Sequence, residues 1–346
     1  MTISDRRNSA GTRRGFLRLG AGVAALAAPL ASPAVARGLQ IAQGAPKKLR
    51  LAHPAPTAHG WHIWAEQFKK SIEDKTGGKI EVQLFPNAQM GNERDTAQAV
   101  RIGSIEMGAI GVGLMNWVPE MSITDAPFLW QSRAQAHRAI EGAFGDELRK
   151  RSLEKGFKLI GWTDLGFRCM TNNKKPINSA KDMVGLKMRV PNAKAYIALM
   201  QTLGASTVAI DLSELYLALS QGVADGQDTP AAVAKSNKYY EVQKYVSKTD
   251  HVLTIAYSVV NPKAFDNLSP DEQKAFLAAA READVYLRNY TEKDEQEVYT
   301  FLKDKGMEVN LKVDVASFQQ ACAPVIEKMP DLFPPDLVKI ARATPA

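Results

Sequence analysis

The chain has 346 residues with 44 basic and 37 acidic side chains, and its charge is uneven: the first 36 residues hold five arginines against one aspartate, so residues 37–346 carry only +3 of the formal +7. At 45% apolar and 23% charged it is neither a disordered chain nor a nucleic-acid binder, which would need clustered Lys and Arg with interleaved aromatics. It is long enough for two domains.

The N-terminus reads as an export signal. "DRRNSAGTRRGFLRLG" is arginine-rich, a modest apolar run follows from Ala21 to Leu30, and Ala34 and Ala36 supply small residues for cleavage before Arg37. The run is shorter than the ~20 residues of a spanning helix and is broken by Pro29 and Pro33, which argues against a membrane anchor. "TRRGFLR", Thr12 to Arg18, resembles the twin-arginine export motif of bacteria. Residues 1–36 are thus read as a twin-arginine signal and 37–46 as a flexible leader, with the mature chain expected in the periplasm.

After the leader, "KKLRLAHPAP" begins a strand ending at His53-Pro54, and Trp61, Ala65, Phe68 and Ile72 recur at helical spacing until "KTGGK" stops the helix. "KIEVQLFP" is a second strand. A loop at Gly91-Asn92, a short helix to Arg101 and the apolar strand "IEMGAIGVG" follow, an alternation that predicts a parallel sheet covered by helices. "FKLIGWTDLGFRCMTN", Phe157 to Asn172, is too long and too apolar for a linker and fits a strand shared between two lobes. So does "HVLTIAYSVVN", His251 to Asn261, and two crossings make a hinge.

Between these crossings the alternation resumes. In "GLKMRVPNA", Gly185 to Ala193, Leu186, Met188 and Val190 alternate with Lys187 and Arg189, a strand that Pro191 and Asn192 end. Pattern alone leaves Arg189 either a charge in water or a cation held for an anion. Asn192 is expected to cap a helix carrying Tyr196, Leu199 and Leu203; "STVAI" is the next strand, and Asp211 with Glu214 reads as a capping box for a helix ending at Gly222. "VADGQDTP" starts a third strand. Past the second crossing, Ser269, Pro270, Asp271 and Glu272 open a long helix running toward Lys305, and the tail is helical.

Two cysteines, Cys169 and Cys322, could pair in an oxidising compartment, but a domain of this size needs no staple and two buried free thiols fit better. His53, His59 and His62 cluster without a metal-binding motif, and no GxSxG or complete GxGxxG is present. Neither metal nor cofactor is expected.

Six ordered motifs resemble the solute-binding proteins of tripartite ATP-independent periplasmic (TRAP) transporters, dicarboxylate-binding type: "FPNAQMGNER", "APFLW", "LGFRCMTN", "GLKMRVPNA", "LSELYLALSQGVADGQDTP" and "YYEVQKYVSKTDH". The resemblance runs from Lys47 to about Leu337. It implies an α/β fold of two lobes in the periplasmic-binding-protein manner, with hinge strands and a long hinge-spanning helix, closing over a small acidic ligand. The expected division is lobe I over 47–165 and 254–293, and lobe II over 166–253 and 294–346.

The resemblance also assigns roles. It makes Arg189 the bidentate contact to a ligand carboxylate and Arg168 a second cationic contact, against the alternative of a hinge salt bridge from Arg168 to Asp164. The guanidinium fork suits a carboxylate, and Arg189 sits where its strand stops, the end of an open α/β sheet where ligands bind. Thr229 stands where relatives have a ligand-facing asparagine, and Leu212 where they have phenylalanine. Glu93 matches a cleft-lining position; Gly111 leaves room either for a ligand or for close packing; Trp162 and Trp117 are candidates for stacking on a ligand or for the core. The expected function is capture of an organic acid by a monomer that delivers it to a TRAP membrane permease, without chemistry on the ligand. An exported cofactor-bearing enzyme, or a ligand-sensing partner of a receptor, are the alternatives.

Overall fold

Strand, helix and strand open the chain as their patterns require. β1 (Lys47–Ala52) is followed by α1 (Gly60–Thr76), which buries Trp61, Trp64, Ala65, Phe68 and Ile72 and stops at Gly77, whose φ of 59° favours glycine. β2 (Ile80–Phe85), α2 (Glu93–Ile102) and β3 (Met107–Ile110) complete the first unit, and β1 pairs in parallel with both other strands. This computed structural model describes residues 45–346, so the predicted signal and nearly all of the leader lie outside the described residues. β3 is shorter than its apolar run, because the chain leaves the sheet at Gly111 and coils into a 3-10 turn over Val112–Asn116.

α3 (Arg133–Glu141) and α4 (Ala143–Glu154) lead to β4 (Lys158–Asn172). The second unit is β5 (Lys187–Val190), α5 (Lys194–Thr202), β6 (Ser206–Ala209), α6 (Leu212–Ser220) and β7 (Gly226–Pro230). α7 (Ala231–Ser236) and β8 (Tyr245–Ser247) precede β9 (Leu253–Val260), α8 (Pro262–Asp266) and the 35-residue α9 (Pro270–Asp304). β10 (Glu308–Asn310), α10 (Val315–Lys328) and α11 (Pro335–Ala343) close the chain.

The strands run in the order β2-β1-β3-β9-β4-β7-β5-β6, with β8 on β4 and β10 on β8. β4 joins the two halves because it is long enough to change partners: up to Phe167 it lies antiparallel to β9, and from Arg168 onward antiparallel to β7. This is the shared strand the apolar run predicts. β9 is different, since it pairs with β3 and β4 and stays in the first half, so the second crossing is made in 248–252. The outcome is an α/β fold of two lobes.

α9 spans both lobes, packing on α1, β4 and α7. Its start carries the predicted cap: Ser269 Oγ accepts from Glu272 N, and Glu272 Oε2 accepts from Ser269 N at 2.7 Å. The tail does not stay with one lobe, because α10 packs on α5 whereas α11 packs on α3 and α4. Among the described residues no helix is long and apolar enough to cross a membrane.

α9 is tied to the first lobe by a buried acid. Asp284 accepts from Trp64 Nε1 of α1 at 2.7 Å and from Trp162 N of β4 at 3.0 Å. Burial pushes its carboxyl up to about 7, against the lowering effect of those two bonds. A folded-state value above the unfolded one means the native state holds an extra proton between about pH 4 and 7, so this group's contribution to stability falls as pH rises through that window. Asp284→Asn is therefore expected to remove about 2 to 3 kcal/mol of the stability difference between pH 5 and pH 8, read by urea unfolding at both. An unchanged difference would contradict the ionisation.

Cys169 and Cys322 are both free and buried. Cys169 Sγ donates to Thr229 O, and burial pushes both thiols up to about 12, so they are packed rather than reactive. The histidines of the first unit are likewise structural: His59 Nδ1 accepts from Trp61 N at the start of α1, and His53 Nε2 lies 3.1 Å from His62 Nδ1. Burial pushes His53 and His59 down to about 3.

Candidate ligand-binding site

The cleft between the lobes holds an outer chamber of about 460 Å³ and a recess of about 50 Å³, which share Glu93, Val112, Arg189, Pro191 and Leu212 in their walls. Arg189 occupies the carboxyl end of β5, which is paired on both sides, by β6 and β7. It is only 3% exposed, because first-lobe residues including Glu93, Gly111 and Val112 surround it in the recess, whereas Lys187, two residues back on the same strand face, is open to water. Its Nε donates to Ile210 O at 2.8 Å; among the described residues Nη1 and Nη2 have no hydrogen-bond partner. Burial disfavours its charge and the nearby Arg168 adds to that, with Tyr239, Asp228 and Glu93 acting in the opposite sense.

Arg168 stands where β4 changes partners and is 5% exposed. Unlike Arg189 it is fully held: Nε donates to Asp228 Oδ2 at 2.6 Å, Nη2 to Asp228 O, and Nη1 to Thr254 Oγ1 at 3.2 Å, while its guanidinium lies 4.6 Å from the Tyr196 ring centre. The predicted alternative partner, Asp164, instead accepts from Arg133 Nη1 at 3.1 Å and lies 2.8 Å from His137 Nε2. Arg168 lines the recess while the adjacent Cys169 turns to the opposite side into an apolar cluster.

Glu93, first residue of α2, supplies the acidic wall. Its Oε2 accepts from Gly111 N and Gly113 N, each at 2.9 Å. The two glycines are needed for that approach: a Cβ at Gly113 would lie 2.5 Å from Glu93 Cβ, and one at Gly111 would lie 3.0 Å from the Trp61 ring. Gly111 thus makes room for the protein's own side chains. Burial raises the Glu93 carboxyl, against the two amides and Arg189.

Residues 51–331 match the family model for bacterial extracellular solute-binding proteins, family 7. The chain belongs to that family. It is 38% identical over 272 residues to a solute-binding protein of Verminephrobacter eiseniae, covering 78% of this chain and 81% of the relative. It is 33% identical over 287 residues to the 2,3-diketo-L-gulonate-binding periplasmic protein YiaO of Escherichia coli, covering 82% and 87%. The crystal structure of a TRAP periplasmic solute-binding protein from a Polaromonas species, bound to D-erythronate, superposes with a TM-score of 0.84 at 34% identity, covering 87% of this chain and 99% of that one. The family is one of TRAP transporter binding proteins, so this chain is a solute-binding protein and not an enzyme.

In this solute-binding protein the recess brings together Arg189, Arg168, Glu93, Leu212 and Thr229. Trp162 is not among them: it is 3% exposed in the core, its ring 6.0 Å from that of Tyr257, with Arg149 over its face. Trp117 lines the outer chamber and lies against Arg101. Asn192 does not cap α5, whose N-cap is Ala193; Asn192 O instead accepts from Asn116 Nδ2 at 3.2 Å. Asp211 takes the N-cap position of α6, yet its side chain caps nothing.

Four residues in or beside this site escape the sequence reading. Trp61, read only as a helix residue, and His59, read only as one of a histidine cluster, line the recess, and Tyr239 is buried with an unpartnered hydroxyl on which the charges of Arg189 and Arg168 act. Asp228, beside the threonine of "GQDTP", holds Arg168; an acid two positions from a strand end was the visible signal.

Proposed function

We propose that the chain captures an organic acid whose carboxylate is taken by the Arg189 fork, with Arg168 as the second cation, and delivers it to a TRAP membrane permease. The observation that carries this reading is the contrast between two buried arginines. Arg168 is satisfied by the protein, whereas Arg189 is equally buried with two terminal nitrogens uncommitted. A buried guanidinium is costly unless an anion completes it, and a carboxylate does so with two parallel bonds.

The recess has room for little beyond a carboxylate, so the body of the acid lies in the outer chamber, whose walls include Glu93, Gln98 and Asn116. Those acceptors and amides suit hydroxyl groups, in keeping with the sugar-derived acids of the E. coli and Polaromonas relatives. Thr229 and Leu212 complete the pocket wall, and Trp162 supports it from the core rather than touching the ligand. Lobe I over 47–165 and 254–293, with α11 packed on it, closes against lobe II over 166–253 and the rest of the tail. The protein is exported by a twin-arginine signal and acts in the periplasm as a monomer with no nucleic-acid partner; the permease reads the closed form.

A thermal-shift screen of hydroxy, keto and dicarboxylic acids on the mature chain tests this. An acid present at about 100 times its Kd adds about 2.7 kcal/mol, a rise in Tm of roughly 4 °C for a chain of this size. Stabilisation by neutral sugars or cations with none by acids would overturn the reading.

A further inference from the structure

In the wall of the outer chamber two hydrogen bonds cross from one lobe to the other. Asn92 Nδ2 donates to Asp211 Oδ2 at 2.8 Å, and Asn116 Nδ2 donates to Asn192 O at 3.2 Å. All four residues line the chamber. The first bond is unusual in what each partner gives to it. Asn92 is the N-cap of α2 and uses both ends of its amide: Oδ1 accepts from Asp95 N at 3.0 Å within a capping box, leaving Nδ2 to reach across. Asp211 occupies the N-cap of α6 with extended backbone, φ −65° and ψ 154°, but its carboxylate bonds to Asn92 and not to the first-turn amides of its own helix.

We propose that Asn92 and Asp211 form a latch that holds the cleft shut over the bound acid and sets its rate of release. The Asp211 carboxylate has two exclusive uses. With the lobes together it accepts from Asn92; with the lobes apart it is free to turn back and cap α6, the use its residue type and position favour. The exchange keeps the carboxylate satisfied in both states, so opening is not blocked, and Asn92 remains a cap throughout. Both are positioning residues acting on the closed state, and the inference rests on the reading of this cleft as the ligand site.

The test uses Asn92→Asp, Asp211→Asn and the double variant in the mature protein, with D-erythronate as the probe acid and release followed by stopped-flow tryptophan fluorescence. Aspartate caps α2 as well as asparagine does, but it faces Asp211 with a like charge. Asn92→Asp is therefore expected to speed release by roughly ten- to a hundredfold, the size of a lost bond to a charged group. Asp211→Asn keeps an acceptor and has a smaller effect. The double variant restores one amide and one carboxylate in reversed order and returns release to within about threefold of the wild type, which a direct ligand contact by Asn92 would not permit. Release from Asn92→Asp at the wild-type rate, or no recovery in the double variant, overturns the latch while leaving the ligand site intact. Failure of the wild type to bind any acid of the screen would overturn the site reading itself, and the latch with it.

Discussion

Arg189→Ala is expected to weaken binding of the captured acid by tens to thousands of fold while leaving the ligand-free protein at least as stable as before. The affinity loss follows from the geometry of the recess: without the guanidinium, the ligand carboxylate enters a buried site with no fork to meet it, at a cost of roughly 2 to 5 kcal/mol, where each 1.4 kcal/mol is a factor of ten. The stability expectation runs the other way. Arg189 is 3% exposed, makes one hydrogen bond through its side chain, and burial together with Arg168 disfavours its charge. Its removal in the unliganded protein relieves a burial cost and breaks no ion pair. Arg189→Lys recovers little affinity, since an ammonium cannot reproduce two parallel in-plane bonds. Isothermal titration and urea unfolding of the same variant check both halves. Unchanged affinity would remove Arg189 from the site; a large loss of stability would make it a structural cation.

The placement of Arg189 was legible because a period-two strand ending at Pro191 puts its last charged residue at the ligand end of an α/β sheet. Its burial was not. The alternation sets Lys187 and Arg189 on one face, but whether that face is wet depends on what the other lobe brings over it, and only Lys187 lies clear. The errors on β4 have a common local cause. Trp162, Asp164 and Arg168 are separated by even numbers of residues and would share a face on a regular strand, an arrangement in which both Trp162 at the ligand and Asp164 beside Arg168 would be possible. The ladder with β9 shifts between Asp164 and Gly166, where Gly166 takes a φ of 103°. One extra residue reverses the alternation, turning Trp162 into the core and Asp164 toward Arg133. The cap expected from Asp211 failed for a different reason. Asp211 was placed at its helix start by local pattern, but its side chain is claimed by Asn92, 119 positions away, and no local rule sees that distance.

Asp228→Ala is expected to act in the reverse order from Arg189→Ala, costing stability first. Asp228 is fully buried and accepts from Arg168 Nε at 2.6 Å, with His251 Nε2 at 3.3 Å. It is not directly opposite Arg168 on the β4–β7 ladder, where Pro230 stands, but two residues along on the same face, a diagonal pair within reach of a long side chain. Burial alone would raise its carboxyl; the charge of Arg168 and the bonds from His251 and Arg168 override that and hold it well below the usual carboxylate range. Because the folded value is depressed, the pair's contribution is present above the unfolded value near pH 4 and fades as pH falls below it. Removing the carboxylate leaves Arg168 buried and unpaired, at a cost of about 3 to 5 kcal/mol, measured by urea unfolding at neutral pH. Asp228→Asn keeps an acceptor without the charge and falls between. Adding Arg168→Met to Asp228→Ala takes the stranded cation away and should recover part of the loss, since a buried pair replaced by apolar groups is often neutral. A double variant no more stable than Asp228→Ala alone would mean that Asp228 serves His251 rather than Arg168.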